Sequence, residues 1–373
     1  SVEQSGAIIE AIENQDYDRA LRLRGEEFNT ALRTFRTLAQ ALPHPALENQ
    51  PQLRLAIMNA GSLAPGMNTA VRAATRLALD KGHTVLGVSS GFRGLVTGDV
   101  EELGWMSVDG WAPLGGSELG TNRQVPAGSD FYAIARNIEN FNIQGLLVIG
   151  GWTAYQTVYE LLSRRIAFPA VKFPIICLPA TINNNMPGSD MSIGADTALN
   201  NMRDAVDKIK QSAVATQRCF VVEVMGRYCG FLALMSGLAS GAERVYLHEE
   251  GVTLAELQND LHQLKHDFEQ GKRLGLIIRN EYANTFYSTE FMVSLFEEEG
   301  GNVFDVRQAI LGHLQRGGDP SPLDRILATQ LVTQCIEYLI NEASTVSETC
   351  CFIGRHEGRT QILEMQDLPR MAD

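Results

Sequence analysis

Between Pro179 and Asp190 the chain reads Pro-Ala-Thr-Ile-Asn-Asn-Asn-Met-Pro-Gly-Ser-Asp. This run offers hydroxyls and three consecutive amides, but no base and no metal-binding carboxylate before Asp190. Neutral donors of this kind suit an anion better than they suit proton abstraction. The same residues also suit a plain polar turn, because Asn and Gly tolerate the backbone a turn requires. Farther along come Arg218, Glu223, Met225-Gly226-Arg227, Glu281, Arg307 and the run from His313 to Arg316. Taken singly, each arginine reads as a surface or ion-pair residue. Their neighbours change the reading: Arg227 lies just past the apolar Phe220–Val224, and Arg307 and His313 flank Ala309-Ile310-Leu311. Charges at strand ends beside glycine-rich turns are a common way to hold phosphate.

Two further glycine-rich runs carry weaker signals. Gly61-x4-Gly66 resembles half of a P-loop, but Met67-Asn68 stands where Lys-Ser/Thr belongs. It still places backbone N–H groups at a helix N-terminus, where an anion is welcome; taken alone, the motif reads better as a simple strand-to-helix turn. Gly150-Gly151-Trp152 allows close backbone approach, yet the indole would occupy the space that a polyphosphate and its Mg²⁺ carboxylate need.

The elements that must position these residues alternate. Short apolar, partly β-branched runs predict strands at Leu53–Met58, Thr84–Val88, Gly145–Ile149, Phe173–Leu178, Cys219–Val224 and Leu274–Arg279. Helical spacing follows Asn68 to about Lys81 and covers Asp130–Phe141, Ala154–Arg164 and the stretch holding Ala195, Leu199, Met202, Val206 and Ile209. A capping box, Thr253-x-x-Glu256, opens another helix that stops at Gly271, and Ser321-Pro322 opens a later one. Alternation predicts an α/β fold with mostly parallel sheets and right-handed crossovers. In such folds ligands bind at the loops after the strands, where Thr181–Asp190 falls. Residues 1–40 read as an amphipathic helical lead-in with a break near Gly25, ended by Ala41-Leu42-Pro43-His44-Pro45.

Composition sets the outer limits. A chain of 373 residues predicts two compact lobes, and 45% hydrophobic with 20% charged residues is ordinary for a soluble globular protein. A formal charge of −13 argues against a broad nucleic-acid surface. The six cysteines form no CxxC pair and no metal spacing, so reduced core thiols in a cytoplasmic protein are expected. No apolar run approaches the ~20 residues that span a bilayer, and no signal peptide is expected. The start at Ser1, without a methionine, reads as a processed or excised piece.

Five ordered motifs together resemble the ATP-dependent 6-phosphofructokinases. They are Ala64–Asn68 (APGMN), Gly120–Arg123 (GTNR), the PxTIxNNxxGSD loop from Pro179, Glu223–Phe231 (EVMGRYCGF) and Leu311–Arg325 (LGHLQRGGDPSPLDR). The resemblance runs from residue 53 to about 360, and the text is most similar to fungal members. It implies the phosphofructokinase fold, two Rossmann-like lobes of mostly parallel sheet preceded by a helical linker. The expected domains are a connector at 1–50, a larger lobe at 51–194 with 315–362, and a smaller lobe at 195–314 with 363–373. The ligand is expected in the cleft between the lobes.

Departures from the family pattern matter as much as matches. The catalytic version reads Thr-Ile-Asp-Asn-Asp, its first Asp being the base; here those acids are Asn183 and Asn185. The catalytic Gly-Gly-Asp-Gly-Ser is here Gly150-Gly151-Trp152-Thr153-Ala154, without the Mg²⁺-associated Asp, and the nucleotide loop is altered at Ser62 and Leu63. The sugar-phosphate positions are kept: Arg218, Met225, Gly226, Arg227, Glu281, Arg307, His313 and Arg316. The resemblance therefore implies the C-terminal, regulatory half of a duplicated eukaryotic enzyme, with residues 1–50 as the connector from the catalytic half. Such a half has no catalytic residue and needs neither metal nor cofactor of its own; Mg²⁺ and ATP serve the catalytic half.

The expected effector is fructose 2,6-bisphosphate, or fructose 6-phosphate, in the former substrate site. Arg218, Arg307, His313 and Arg316 are assigned to one phosphate, with Arg218 and Arg307 reaching from a neighbouring subunit of a homo- or hetero-oligomer. Thr181, Asn183, Asn185 and Arg123 are assigned to the second, Met225, Arg227 and Glu281 to the sugar, and Arg355 and Arg359 to closing over the site. Replacing three acids by neutral residues suits a ligand of roughly −3 to −4, at ~−1.5 to −2 per phosphate. Two alternatives stand beside this one. A free-standing kinase would use Asp190 or Asp196 as its base, and a pure assembly scaffold would not need the basic residues. Neither nucleic acid nor membrane is an expected partner.

Overall fold

A computed structural model describes residues 17–44, 52–301 and 303–371. The described chain divides into two compact units. The first takes the residues up to Thr181, Met186–Gly194 and those from Asp319 onward; the second takes Ile182–Asn185 and Ala195–Gly318. The fold is α/β with mostly parallel sheets.

In the first unit, β1 (Arg54–Ala60), β2 (Thr84–Val88), β4 (Gly145–Gly150), β5 (Ile175–Pro179) and β10 (Cys350–His356) pair in parallel. Antiparallel β3 (Val100–Glu102) and β11 (Arg359–Glu364) close the edges, giving the order β11-β10-β5-β4-β1-β2-β3. β2, β4 and β5 are buried along their whole length, and β1 at all but its first residue. Burial on both faces explains why they read as unbroken apolar runs instead of alternating ones. Met58, Val88, Ile134, Val148, Tyr155, Val158 and Phe352 form part of the core. β4 ends on Gly150, where a Cβ would stand 2.0 Å from the Ala60 carbonyl oxygen, so only glycine lets β4 close on β1 there.

In the second unit β7 (Arg244–Tyr246), β8 (Leu274–Asn280), β6 (Arg218–Val224) and β9 (Asp305–Ile310) form an all-parallel sheet in the order β7-β8-β6-β9. Helices Ala195–Thr216, Phe231–Ser240, Leu254–Glu269 and Thr289–Gly300 accompany it. Val221, Leu261, Leu264, Phe268, Ile277, Phe296 and Val306 are core residues, with Phe268 stacked 4.6 Å from Phe304. The capping box forms, with Glu256 N–H donating to Thr253 Oγ1 at 3.2 Å and Thr253 N–H to Glu256 Oε2 at 2.7 Å. Val224 lies opposite Asn280, and Glu223 opposite Ile310. Parallel register therefore brings the loops after β6, β8 and β9 to one edge of this sheet.

Several expectations are corrected. Residues 363–373 belong with the first unit as far as they are described. β11 pairs with β10 from His356↔Arg359 to Cys351↔Glu364, and Met365 and Leu368 sit in that core. Residues 315–318 cluster with the second unit instead of the first. The lead-in helix runs Tyr17–Ala39 straight through Gly25, so no break occurs there; one glycine costs a helix only about 1 kcal/mol. Its expected beginning, residues 1–16, and residues 45–51 of the expected linker lie outside the described residues. No helix of the described residues is long and apolar enough to cross a membrane. All six cysteines are free thiols, five of them buried, and burial holds those five thiols above their ordinary pKa.

Candidate functional site

At the C-terminal edge of the second sheet, β6 runs into Met225-Gly226-Arg227. All three N–H groups are taken by side chains. Met225 N–H donates to Gln315 Oε1 at 3.1 Å, while Gly226 and Arg227 N–H both donate to Glu281 Oε1, at 3.2 and 2.9 Å. Arg227 adopts a left-handed backbone, φ 54°, which the bond to Glu281 helps to hold. Gly226 has φ 146°, and a Cβ there would lie 2.2 Å from the Cys229 carbonyl oxygen and 2.6 Å from Asn280 Nδ2. That amide is itself engaged, donating to the Cys229 carbonyl at 3.0 Å. The loop is therefore rigidly specified, and the exposed Arg227 side chain lies with its guanidinium carbon 5.6 Å from the Tyr228 ring centre.

His313 and Arg316 follow β9 on a short 3-10 turn, Gly312–Arg316, with His313 exposed and Arg316 half-buried. Gln315, fully buried between them, donates through Nε2 to the Gly312 carbonyl at 3.0 Å. Below the loops, Arg279 is buried and paired with Glu223 at 2.8 Å, directly across the β6–β8 register. Desolvation pulls its pKa below the ordinary value while Glu223 opposes the shift. Its other nitrogen donates to the carbonyls of Asn284 and Tyr287, at 3.3 and 3.1 Å, bracing the loop after Glu281. Met225, Gly226, Arg227, Glu281, His313 and Arg316 thus share one edge.

Arg218 and Arg307 do not join them within this chain. Arg218 opens β6, six residues before Val224, so about 20 Å of strand separates it from that edge at ~3.3 Å per residue. Its Nε lies 3.4 Å from Asp305 Oδ2, and Arg307 reaches the same carboxylate oxygen at 3.7 Å and Glu297 at 3.0 Å. Arg218 and Arg307 are thus held around Asp305 and Glu297, Arg218 at the start of β6 and Arg307 in the middle of β9, opposite Phe220.

The middle of the polar loop, Ile182–Asn185, clusters with the second unit. Asn184 takes a left-handed backbone, φ 52°, which asparagine tolerates better than most residues, and Asn183 and Asn185 on either side are half-buried. In the first unit Thr181 is buried, its N–H donating to Ile193 O at 3.0 Å. Arg123 is exposed there, just after Thr121 and Asn122, which close on Gly61: Gly61 N–H donates to Asn122 O at 2.8 Å, and Thr121 Oγ1 to Gly61 O at 2.9 Å. Trp152 begins the helix Trp152–Ser163 immediately after Gly150-Gly151 and packs partly buried on the core.

Arg355 lies on β10 and Arg359 on β11, at the two sides of a hairpin whose turn residues, Glu357 and Gly358, both have positive φ. Arg355 bonds Gln330 Oε1 at 3.1 Å, and its backbone is tied to Ser189 and Asp190. Asp190 accepts from His356 Nδ1 at 2.7 Å and from Glu357 N–H at 2.6 Å. The His356 bond is the main cause that holds the Asp190 carboxyl below its ordinary range, and it raises His356 in turn.

The residue types at these positions are not those that bind Mg²⁺–nucleotide. A magnesium site needs oxygen anions, and the positions in question carry the amides of Asn183 and Asn185 and the indole of Trp152. The glycine loop at Gly61 is already closed by Thr121 and Asn122. Among the described residues no three His, Cys, Asp or Glu side chains gather in a way that could hold a metal ion.

Open parallel sheets with basic, glycine-rich loops at the strand ends define an α/β protein of the ligand-at-the-carboxyl-edge kind. The chain belongs to the phosphofructokinase family, whose sequence profile, described as Phosphofructokinase, matches residues 54–339. It is 45% identical over 342 residues to the ATP-dependent 6-phosphofructokinase of Dictyostelium discoideum, covering 91% of this chain and 41% of that protein. The structure of phosphofructokinase from Saccharomyces cerevisiae matches with a TM-score of 0.86 at 34% identity, over 99% of this chain and 50% of that one. Pichia pastoris phosphofructokinase in the T-state matches with a TM-score of 0.83 at 34% identity, over 98% and 44%. The chain thus spans about half the length of the relatives it matches, or less.

Proposed function

We propose that this chain is the regulatory half of an ATP-dependent 6-phosphofructokinase. It holds fructose 2,6-bisphosphate in a former substrate site and transfers no phosphate itself. The reaction, fructose 6-phosphate plus ATP giving fructose 1,6-bisphosphate plus ADP, belongs to a catalytic half that uses Mg²⁺. The observation that carries this reading is a split within one family pattern. The edge holding Arg227, Glu281, His313 and Arg316 is built and braced, whereas the positions that would take a proton and hold a metal are Asn183, Asn185 and Trp152. An amide cannot act as a base near neutral pH, and general-base catalysis is worth about 10²–10⁴-fold.

Effector action would follow from differential binding. A bisphosphate that favours one quaternary arrangement raises substrate affinity in the catalytic half only by its own preference for that arrangement. Arg218, at the start of β6, and Arg307, exposed in the middle of β9, suit a contribution to the site of a neighbouring copy in a cytoplasmic oligomer. The rival reading, a free-standing kinase with Asp190 as base, is disfavoured by chemistry. Asp190 is engaged by His356 and Glu357 N–H and is a weaker base than an ordinary carboxylate. Asp196 is engaged by Asn200 Nδ2 at 3.1 Å. The test is a coupled turnover assay on this chain with fructose 6-phosphate and Mg²⁺–ATP. No product above background supports the proposal, and steady turnover by the chain alone rejects it.

A further inference from the structure

Gln315 is fully buried, in a turn whose neighbouring side chains His313 and Arg316 are not. One amide group makes two bonds from there. Its oxygen accepts from Met225 N–H across 90 residues of sequence, and its nitrogen donates to Gly312 O within its own turn. Met225 N–H is the first of three consecutive donors, and the next two go to Glu281. The register of the Met225–Arg227 loop is therefore set by two side chains from two other segments, and only Gln315 comes from the turn that carries His313 and Arg316.

We infer that Gln315 is a positioning residue. It fixes the spacing between the loop presenting Arg227 and the turn presenting His313 and Arg316, and so determines which sugar phosphates can be gripped at both ends. This rests on the proposed sugar-phosphate site. The chemistry demands an amide: glutamate keeps the acceptor for Met225 N–H but loses the donor to Gly312, and methionine keeps the volume but loses both. A side chain that merely filled space would tolerate methionine. Small displacements of binding groups cost far more for a ligand held at two ends than for one held at a single point.

The experiment compares Gln315→Met and Gln315→Glu with the unaltered chain in three measurements. They are amide exchange at residues 225–227 without ligand, calorimetric affinity for fructose 2,6-bisphosphate and for inorganic phosphate, and the thermal midpoint. In Gln315→Met, exchange at Met225, Gly226 and Arg227 should quicken by about tenfold. Bisphosphate affinity should fall by about tenfold, and inorganic phosphate affinity by less than about twofold. Gln315→Glu should recover protection at Met225 and part of the bisphosphate affinity, and it serves if the methionine variant does not fold. Unchanged exchange at Gly226 and Arg227, or equal losses for both ligands in step with the thermal midpoint, would overturn the inference. If the unaltered chain binds no bisphosphate, the functional reading alone has failed, and the exchange data still decide whether Gln315 sets the loop.

Discussion

Asparagine and aspartate have nearly the same shape, yet only one of them can receive a proton from a sugar hydroxyl. On the proposed reading, that difference at Asn183 separates holding a phosphorylated sugar from reacting with it. Restoring the acid should therefore not restore the reaction. Asn183→Asp is expected to leave turnover at background, because the proposed reading also has Asn185 and Trp152 where a metal would need carboxylates. It should weaken bisphosphate binding by about fivefold through a repulsion of order 1 kcal/mol in water. Detectable turnover in this single variant would mean that the nucleotide end remains usable. Arg316→Ala should cost about 10- to 100-fold in bisphosphate affinity by calorimetry, the worth of a hydrogen bond to a charged group; an unchanged affinity would remove Arg316 from the site. The charged residues proposed for the site stood out in the sequence because their types declare a chemistry. Gln315, Asn280 and Arg279 were not: a buried amide bracing a loop, or an arginine spent on a glutamate across a strand, is invisible until the partner is known.

At the scale of elements, the central strands were readable because burial on both faces leaves nothing but apolar residues. β9 was not, since its pattern of exposure is mostly solvent-facing, with Val306 its one buried residue. β10 and β11 depend on a hairpin turn, Glu357-Gly358, and on contacts made with the loop after Pro187, none of which local spacing announces. That hairpin has a pH signature. Asp190, held below its ordinary 3.8, contributes fully above that value and loses its contribution as pH falls through its lowered pKa. His356, raised above 6.5, contributes fully below 6.5 and loses its contribution as pH rises through its raised pKa. The contact should be firmest between about pH 4 and 6.5, and intrinsic-rate-corrected protection of the Glu357 amide should peak there. A flat protection profile across pH 4–8 would show that the pair does not hold the turn. The loop after β6 makes a sharper demand. Gly226→Ala must push its Cβ into the Cys229 carbonyl at a positive φ, and a loss of more than about 2 kcal/mol in denaturant unfolding is expected. A neutral result would mean that the loop relaxes freely.

For the whole molecule, the α/β class followed from strand–helix alternation and two compact units from chain length, but the boundaries between the units did not. The C-terminal residues return to the first sheet through β11, a long-range pairing that no linear boundary expresses. Of the two arginines grouped with the sugar-phosphate residues by motif, Arg218 lies about 20 Å of strand from the end of β6, and Arg307 about 10 Å from the end of β9. The most direct measurement is titration calorimetry of the chain with fructose 2,6-bisphosphate and, separately, with Mg²⁺–ATP. The expected result is saturable binding of the bisphosphate and no heat of binding for the nucleotide. Tight Mg²⁺–ATP binding with no response to the bisphosphate would contradict a receptor built from a kinase.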